Sequence, residues 1–393
     1  MPEFLLLRGA KQLLTLRGPS AARRGAALHD LSIIEDGSVL IRDGLIDNVG
    51  PTRRIENLKE ARDAAELDVH GLVVMPGFAD PGLRLNLLGS ANTSGKPAKP
   101  RCITSFSSES AELLHSCLVH GTLNVQVKAN AGVGGFRSDV SVLRQLAELG
   151  NKPVGMVRAW RIDALAEPAP DSALDYAASL QFLARRNLAH AVEIAVAADN
   201  GLSDRVWAAA GEKSLAVNLL WPGGSAELLS NLLQRASPAS VYSSSNLSAA
   251  ECQLLAESSA LTVFSPNQEM AAEQSGDAAC RIANAGGAIA LSSGYDPECT
   301  RSVSMQMALT LAVLRLGLSP EQAISAATIN AAYAMGIGNV TGSLELNKRA
   351  DLLVLTVPDY REIPCRLGMN AVGVAIRGGT IVHNSIPLKG RIN

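Results

Sequence analysis

The stretch Val73-Val74-Met75-Pro76-Gly77-Phe78-Ala79-Asp80-Pro81-Gly82-Leu83-Arg84-Leu85 decides how this chain folds. An apolar run ending at Met75 meets Pro-Gly, a dipeptide that closes one element before the next begins. The run from Phe78 to Leu88 then has the length of a buried strand and a short loop. Downstream, strand-like and helix-like runs alternate. The strand-like runs are Leu123-Val127, Pro153-Ala159, Val192-Val196, Leu215-Leu220, Ser240-Tyr242, Leu261-Phe264 and Ala288-Leu291. Helix-like runs between and after them include Ser108-Val119, Ser138-Leu149, Leu174-Asn187, Ala226-Gln234, Ala249-Ser258, Val303-Leu316 and Pro320-Met335. With Val74-Phe78 as the first strand, the alternation is that of a closed parallel (β/α)8 barrel. No G-x-G-x-x-G follows the first strand, which argues against a doubly wound dinucleotide fold.

The two ends of the chain read differently. Phe4-Leu7, Ser38-Arg42 and Leu45-Val49 are β-rich, and Asp43-Gly44 between the last two predicts a tight hairpin. Ala350-Leu355, Ala371-Ile376 and Thr380-His383 are again strands. The expectation is an α/β protein: a distorted TIM barrel over residues 70–345, and a small composite β-sandwich from residues 1–69 and 346–393. Only Ala91-Pro100 has the composition of a mobile loop.

Composition narrows the functional classes. Of the 393 residues, 47 % are hydrophobic and 18 % charged, so a sizeable core is affordable. A formal charge of −2 gives no reason to expect nucleic acid or an anionic membrane surface. No stretch reaches about 18 uninterrupted apolar residues, so no membrane span is expected. Cys102, Cys117, Cys252, Cys280, Cys299 and Cys365 form no C-x-x-C pair, the usage of a reducing, cytoplasmic setting. No G-x-S-x-G and no phosphate-binding loop is present.

Particular motifs point to a family. Val74-x-Pro76-Gly77-Phe78-x-Asp80 resembles the entry to the first barrel strand of the amidohydrolase superfamily. His120-Gly121-Thr122-Leu123-Asn124-Val125-Gln126-Val127-Lys128 and Pro222-Gly223-Gly224-Ser225-Ala226-Glu227-Leu228 resemble two runs of the imidazolonepropionases within it. Similar stretches continue through Ala326-Ala332, Gly342-Leu352, Met369-Val372 and Ile376-Gly379. The resemblance covers nearly the whole chain and implies the metal-dependent hydrolase barrel, with zinc or iron as the family norm.

Every metal position implied by that resemblance is altered. The H-x-H pair of the first strand reads Gly82 and Arg84. Glycine has no donor, and arginine is a permanent cation. The other ligand positions fall at Leu219, within an apolar run, at Ser240, and at Gly294. The six histidines (His29, His70, His115, His120, His190, His383) offer no H-x-H or i, i+4 pair to rebuild a site. His120, at a helix end, reads as a cap on the helix dipole. No metal cofactor is therefore expected.

Lys128 closes the second strand and points to the barrel mouth, where catalytic side chains sit. Arg84, Arg158 and Arg161 are expected to join it, with Tyr295 and Asp296 completing the mouth. Such cations suit a carboxylate ligand. The better reading is that they replace the metal's charge by pairing with Glu193, Asp296 or Glu298, because a cavity without metal must be neutralised.

The sequence thus predicts an imidazolonepropionase-like protein without metal-dependent hydrolysis. It would be a structural or regulatory subunit, as a homodimer or in a hetero-oligomer with an active paralogue. Two alternatives stay open: a binder of small carboxylates, and a hydrolase of cyclic amide C–N bonds with a non-standard site.

Overall fold

The computed structural model describes residues 4–84, 108–131, 135–150, 152–163, 175–196, 202–273, 276–296, 300–387 and 390–391. The loop expected at Ala91-Pro100, and Cys102, Glu298 and Cys299, lie outside them. The barrel strands are β1 (Phe78–Leu83), β2 (Thr122–Ala131), β3 (Gly155–Asp163), β4 (Ala191–Ala195), β5 (Ala216–Trp221), β6 (Ser240–Ser243), β7 (Leu261–Phe264) and β8 (Ala288–Leu291). They pair in sequence order, all parallel, as an eight-stranded sheet that wraps almost into a closed barrel.

Among the described residues, no strand ladder joins β1 and β8. That seam is held by other means. Arg84 N donates to Tyr295 O at 3.0 Å. The fully buried Asp80 carboxylate accepts from Gly82 N (3.0 Å), Ser292 Oγ (2.9 Å) and Ser293 N (3.2 Å), and from Ser293 Oγ.

Side-chain alternation explains the barrel wall. On β2, Leu123, Val125, Val127 and Ala129 face the helices and enter the main core. Their neighbours Asn124, Gln126 and Lys128 take the opposite, inward face and are buried polar residues. Barrel interiors are commonly filled by branched apolar side chains; this stripe is polar from bottom to top.

The first correction concerns Val74-Phe78. Residues Val73–Pro76 pair with Leu352–Leu355 and with Phe4–Leu14, so they belong to the outer sheet, and the chain enters the barrel only after Pro76-Gly77. A Cβ at Gly77 would lie 2.4 Å from Leu123 Cδ1, so glycine lets the two sheets meet here.

The outer domain is one continuous mixed sheet rather than two separate sheets. Its strands follow the order 380–384, 372–377, 352–355, 73–76, 4–14, 33–42 and 45–51, with 65–68 alongside 4–14. The sheet closes over a core that includes Leu7, Leu13, Val39, Ile46, Val354 and Ile376. Asp43 (φ 50°) and Gly44 (φ 81°) make the expected tight turn, both in the left-handed region that this hairpin type requires.

The helical run expected over Pro320-Met335 is broken. Helices Pro320–Ala327 and Ile329–Ala334 meet at Thr328, with φ −120° and ψ −92°. Thr328 Oγ1 donates to Ile324 O (2.7 Å), the back-bond that bends a helix. Asn330 Nδ2 donates to Ile289 O (2.7 Å) and to Arg23 O (2.8 Å), fixing the second half against β8. Ala331, Ala332 and Met335 then pack on Ala79 and Val157 and form the barrel floor.

Candidate functional site at the barrel mouth

The strands of a parallel barrel carry functional side chains at their C-terminal ends, and here those ends enclose a cavity of about 320 Å³. Gly82, Arg84, Lys128, Arg161, Tyr242 and Glu269 are among its walls. Lys128 and Glu193 form an ion pair in which both side chains are almost fully buried. The second oxygen of Glu193 meets Arg161 Nη1 at 3.4 Å. Arg84 Nη1 pairs with Asp296 Oδ2 at 2.5 Å. Asp296 is fixed by reciprocal backbone hydrogen bonds with Thr300, and Tyr295 lines the cavity beside it.

Below Lys128 lies Tyr242, which sequence reasoning passed over. Lys128 Nζ sits 3.4 Å from the centre of its ring, a cation–π contact. The Tyr242 hydroxyl is 2.9 Å from both Pro81 O and Gln126 Oε1, and Asn218 Nδ2 donates to the same Gln126 oxygen at 3.4 Å. Burial pushes the Lys128 pKa down, against Glu193, which raises it. Burial also pushes the Tyr242 phenol well up, so the phenol stays neutral. The signal for Tyr242 was available: it shares its face of β6 with Ser240, two residues below.

Glu269 is a second residue not anticipated. Phe264-Ser265-Pro266 ends β7 and starts a short helix, Pro266–Ala271, at the mouth, with proline in the first turn. This helix carries Glu269 into the wall, 6 % exposed. Burial raises its pKa to about 6, and nearby Ser245 offsets part of that rise.

Other expected positions lie elsewhere. Arg158 is not a mouth residue. It donates from Nε to Leu188 O (2.8 Å) and from Nη2 to Asn187 O (2.7 Å), capping a loop on the helix side of the barrel. Residues three apart in a strand point to opposite faces, so Arg158 and Arg161 never share one. The same parity corrects Leu219, which packs outward in the main core, whereas Asn218 and Leu220 face inward. Ser240 lies at the floor, donating to Ala334 O (3.2 Å). Gly294 does line the cavity, in the left-handed region (φ 62°). His120 Nδ1 lies 2.8 Å from Ser116 O, at the end of its own helix.

The residues present do not fit a catalytic metal. A Cβ at Gly82 would stand 2.1 Å from Ser292 Oγ, so this position has no space for a ligating side chain while the Asp80 seam is intact. At the mouth, the cations Arg84, Lys128 and Arg161 already pair with the carboxylates of Asp296 and Glu193. Among the described residues no group of three or more His, Cys, Asp or Glu is placed to hold a metal ion.

Comparison with known proteins agrees with the fold. The amidohydrolase family profile matches residues 240–381. An imidazolonepropionase of Parabacteroides distasonis is 28 % identical over 96 % of this chain and 98 % of its own length. One from Brevibacillus brevis is 29 % identical over 97 % and 98 %. Among solved structures, the A. niger ochratoxinase superposes with a TM-score of 0.72 at 17 % identity, covering 98 % of this chain and 96 % of that one.

Proposed function

We propose that this chain, an imidazolonepropionase-like protein of the amidohydrolase superfamily, has given up metal-dependent hydrolysis and works as a structural or regulatory subunit. A hydrolase of this type needs a metal to bring bound water near neutral pKa and to polarise the scissile carbonyl. The observation that carries the reading is Gly82 locked against Ser292, above a mouth already neutralised by fixed ion pairs. The curated relatives are named imidazolonepropionase, so the change concerns this chain's mouth and not its ancestry.

A second reading is favoured by the retained cavity. Arg84, Lys128 and Arg161 present guanidinium and ammonium donors to it, and a guanidinium has more N–H donors than one carboxylate oxygen uses. The subunit would therefore sense or hold a small carboxylate. Its assembly would be a homodimer or a hetero-oligomer with an active paralogue.

The test is metal content together with turnover. Protein purified after growth with added zinc is expected to hold less than about a tenth of an equivalent of metal, because a stable zinc site needs a ligand set that is missing here. It is expected not to hydrolyse an imidazolone-type cyclic amide. A full equivalent of zinc or iron together with turnover would overturn the proposal in favour of a hydrolase with a non-standard site. Imidazole carboxylates should raise the melting temperature saturably, and Arg161→Ala should abolish that shift.

A further inference from the structure

Lys128 is more than a counter-charge. We propose that its amine forms an imine with a small 2-oxo carboxylate entering the mouth cavity, the acid's carboxylate being received by Arg84 and Arg161. This deepens the carboxylate-binding reading above and rests on it.

Burial drives a lysine from a cation towards a neutral amine that can attack a carbonyl, especially with further cations close by. Lys128 meets both conditions. It is buried at the cavity wall, and Arg161 and Arg84 both push its pKa the same way as burial does. The arrangement around Glu193 matters most. That carboxylate is shared by Lys128 and Arg161. Arg161 holds that carboxylate beside Lys128 while it takes up and later returns a proton, so the acceptor stays in place through the step.

The chemistry balances within these groups. Lys128 passes one proton to Glu193, and the neutral nitrogen attacks the carbonyl carbon of the acid, forming a C–N bond and a carbinolamine. The nitrogen loses a second proton to the carbinolamine oxygen, directly or through Glu193. The C–O bond then breaks as Glu193 returns its proton, and the oxygen leaves as water. The product is a protonated imine, so an ammonium and a carbonyl become an iminium and one water, with no change in charge. The iminium remains beside Glu193 in the place the ammonium held. No oxidant or metal is involved. The Tyr242 face under the nitrogen stabilises either cation. A cavity of about 320 Å³ has room for an acid of this class.

The experiment uses the full-length protein with pyruvate and cyanoborohydride, which traps an iminium as a stable secondary amine. Intact mass followed by peptide mapping is expected to find one adduct, on the peptide containing Lys128. The charge-preserving variant Lys128→Arg should lose it. In parallel, wild-type protein is titrated with lactate, which has the carboxylate but no carbonyl, and followed by thermal shift. A lactate shift without a pyruvate adduct would overturn the imine and leave carboxylate binding standing. Absence of both would sink the two together. Adducts spread over surface lysines, or equal labelling in Lys128→Arg, would also overturn the assignment. Should Lys128→Arg fail to fold, mapping of the wild type decides: protection of the Lys128 peptide by lactate supports the imine, and labelling indifferent to lactate refutes it.

Discussion

Two buried carboxylates, one at each end of the barrel, show what this chain holds rigid and what it leaves adjustable. At the base, Asp351 accepts from Arg349 Nε (2.8 Å) and Nη2 (2.5 Å), Asn124 Nδ2 (3.0 Å), Thr341 Oγ1 (3.0 Å) and Gly378 N (3.0 Å). Arg349 Nη2 also donates to Asn124 Oδ1 at 2.6 Å. That network joins barrel strand β2 to the outer sheet. At the mouth, among the described residues, Glu193 is held only by the charged ends of two long side chains, and the Arg161 contact is long at 3.4 Å. Saturated hydrogen bonding specifies a joint; ionic contacts beside a cavity leave room for a ligand to compete.

The comparison is broken most directly at the base. Asp351→Ala takes the acceptor away from the part-exposed Arg349 and from the buried donors of Asn124 and Thr341, and is expected to cost about 3 kcal/mol, read from the midpoint of denaturant unfolding. A loss below about 1 kcal/mol would mean that the base is no more tightly specified than the mouth. Glu193→Gln keeps the side chain's shape and an acceptor oxygen facing the two cations, so it should cost less, about 1–2 kcal/mol. The same substitution should tighten carboxylate binding, since both cations lose a competitor. Stability down and affinity up is the pattern of a site held ready at the expense of the fold.

Glu269 gives a smaller, pH-dependent effect. Its pKa is raised in the folded protein to about 6, so the native state binds more protons than the unfolded chain between about 4.5 and 6. Stability from this group is therefore present at acid pH and lost as pH rises through that window, and Glu269→Gln should flatten the slope by about 1–2 kcal/mol. Asp139, which accepts from Trp160 Nε1 at 3.1 Å, is pushed up by burial to about 7 and adds a slope of the same sign. Only the lower part should vanish in Glu269→Gln. The smallest expected change sharpens the mouth's definition. Arg158→Ala should lower the melting temperature without altering the carboxylate titration that Arg161→Ala abolishes.

Much of this was legible in the residues. The alternation Leu123-Asn124-Val125-Gln126-Val127-Lys128 gave both the β2 strand and the inward lysine, and acids to pair with the cations were at hand in Glu193 and Asp296. Arg158 and Leu219 were misread because strand parity, a local rule, was not applied against Arg161 and Asn218. The mistaken placement of Val73–Pro76 has another cause. An apolar strand reads the same whichever sheet it joins, and only the pairing with Leu352–Leu355, far away in sequence, decides. Glu269 was hidden because its burial depends on a short helix folding back over the mouth.

The seam between β1 and β8 gives the wall of the mouth its own dynamics. Backbone ladders protect amides from solvent, whereas this junction rests on the contacts of the Asp80 carboxylate and one backbone bond, Arg84 N to Tyr295 O, and opens more readily. In deuterated water, the amides of Phe78–Leu83 and Ala288–Leu291 should exchange faster than those of β4 and β5 on the opposite side. A ligand bridging Arg84 to Lys128 would slow them. Exchange at these two strands would then report occupancy of the cavity, as breathing that an occupant stills.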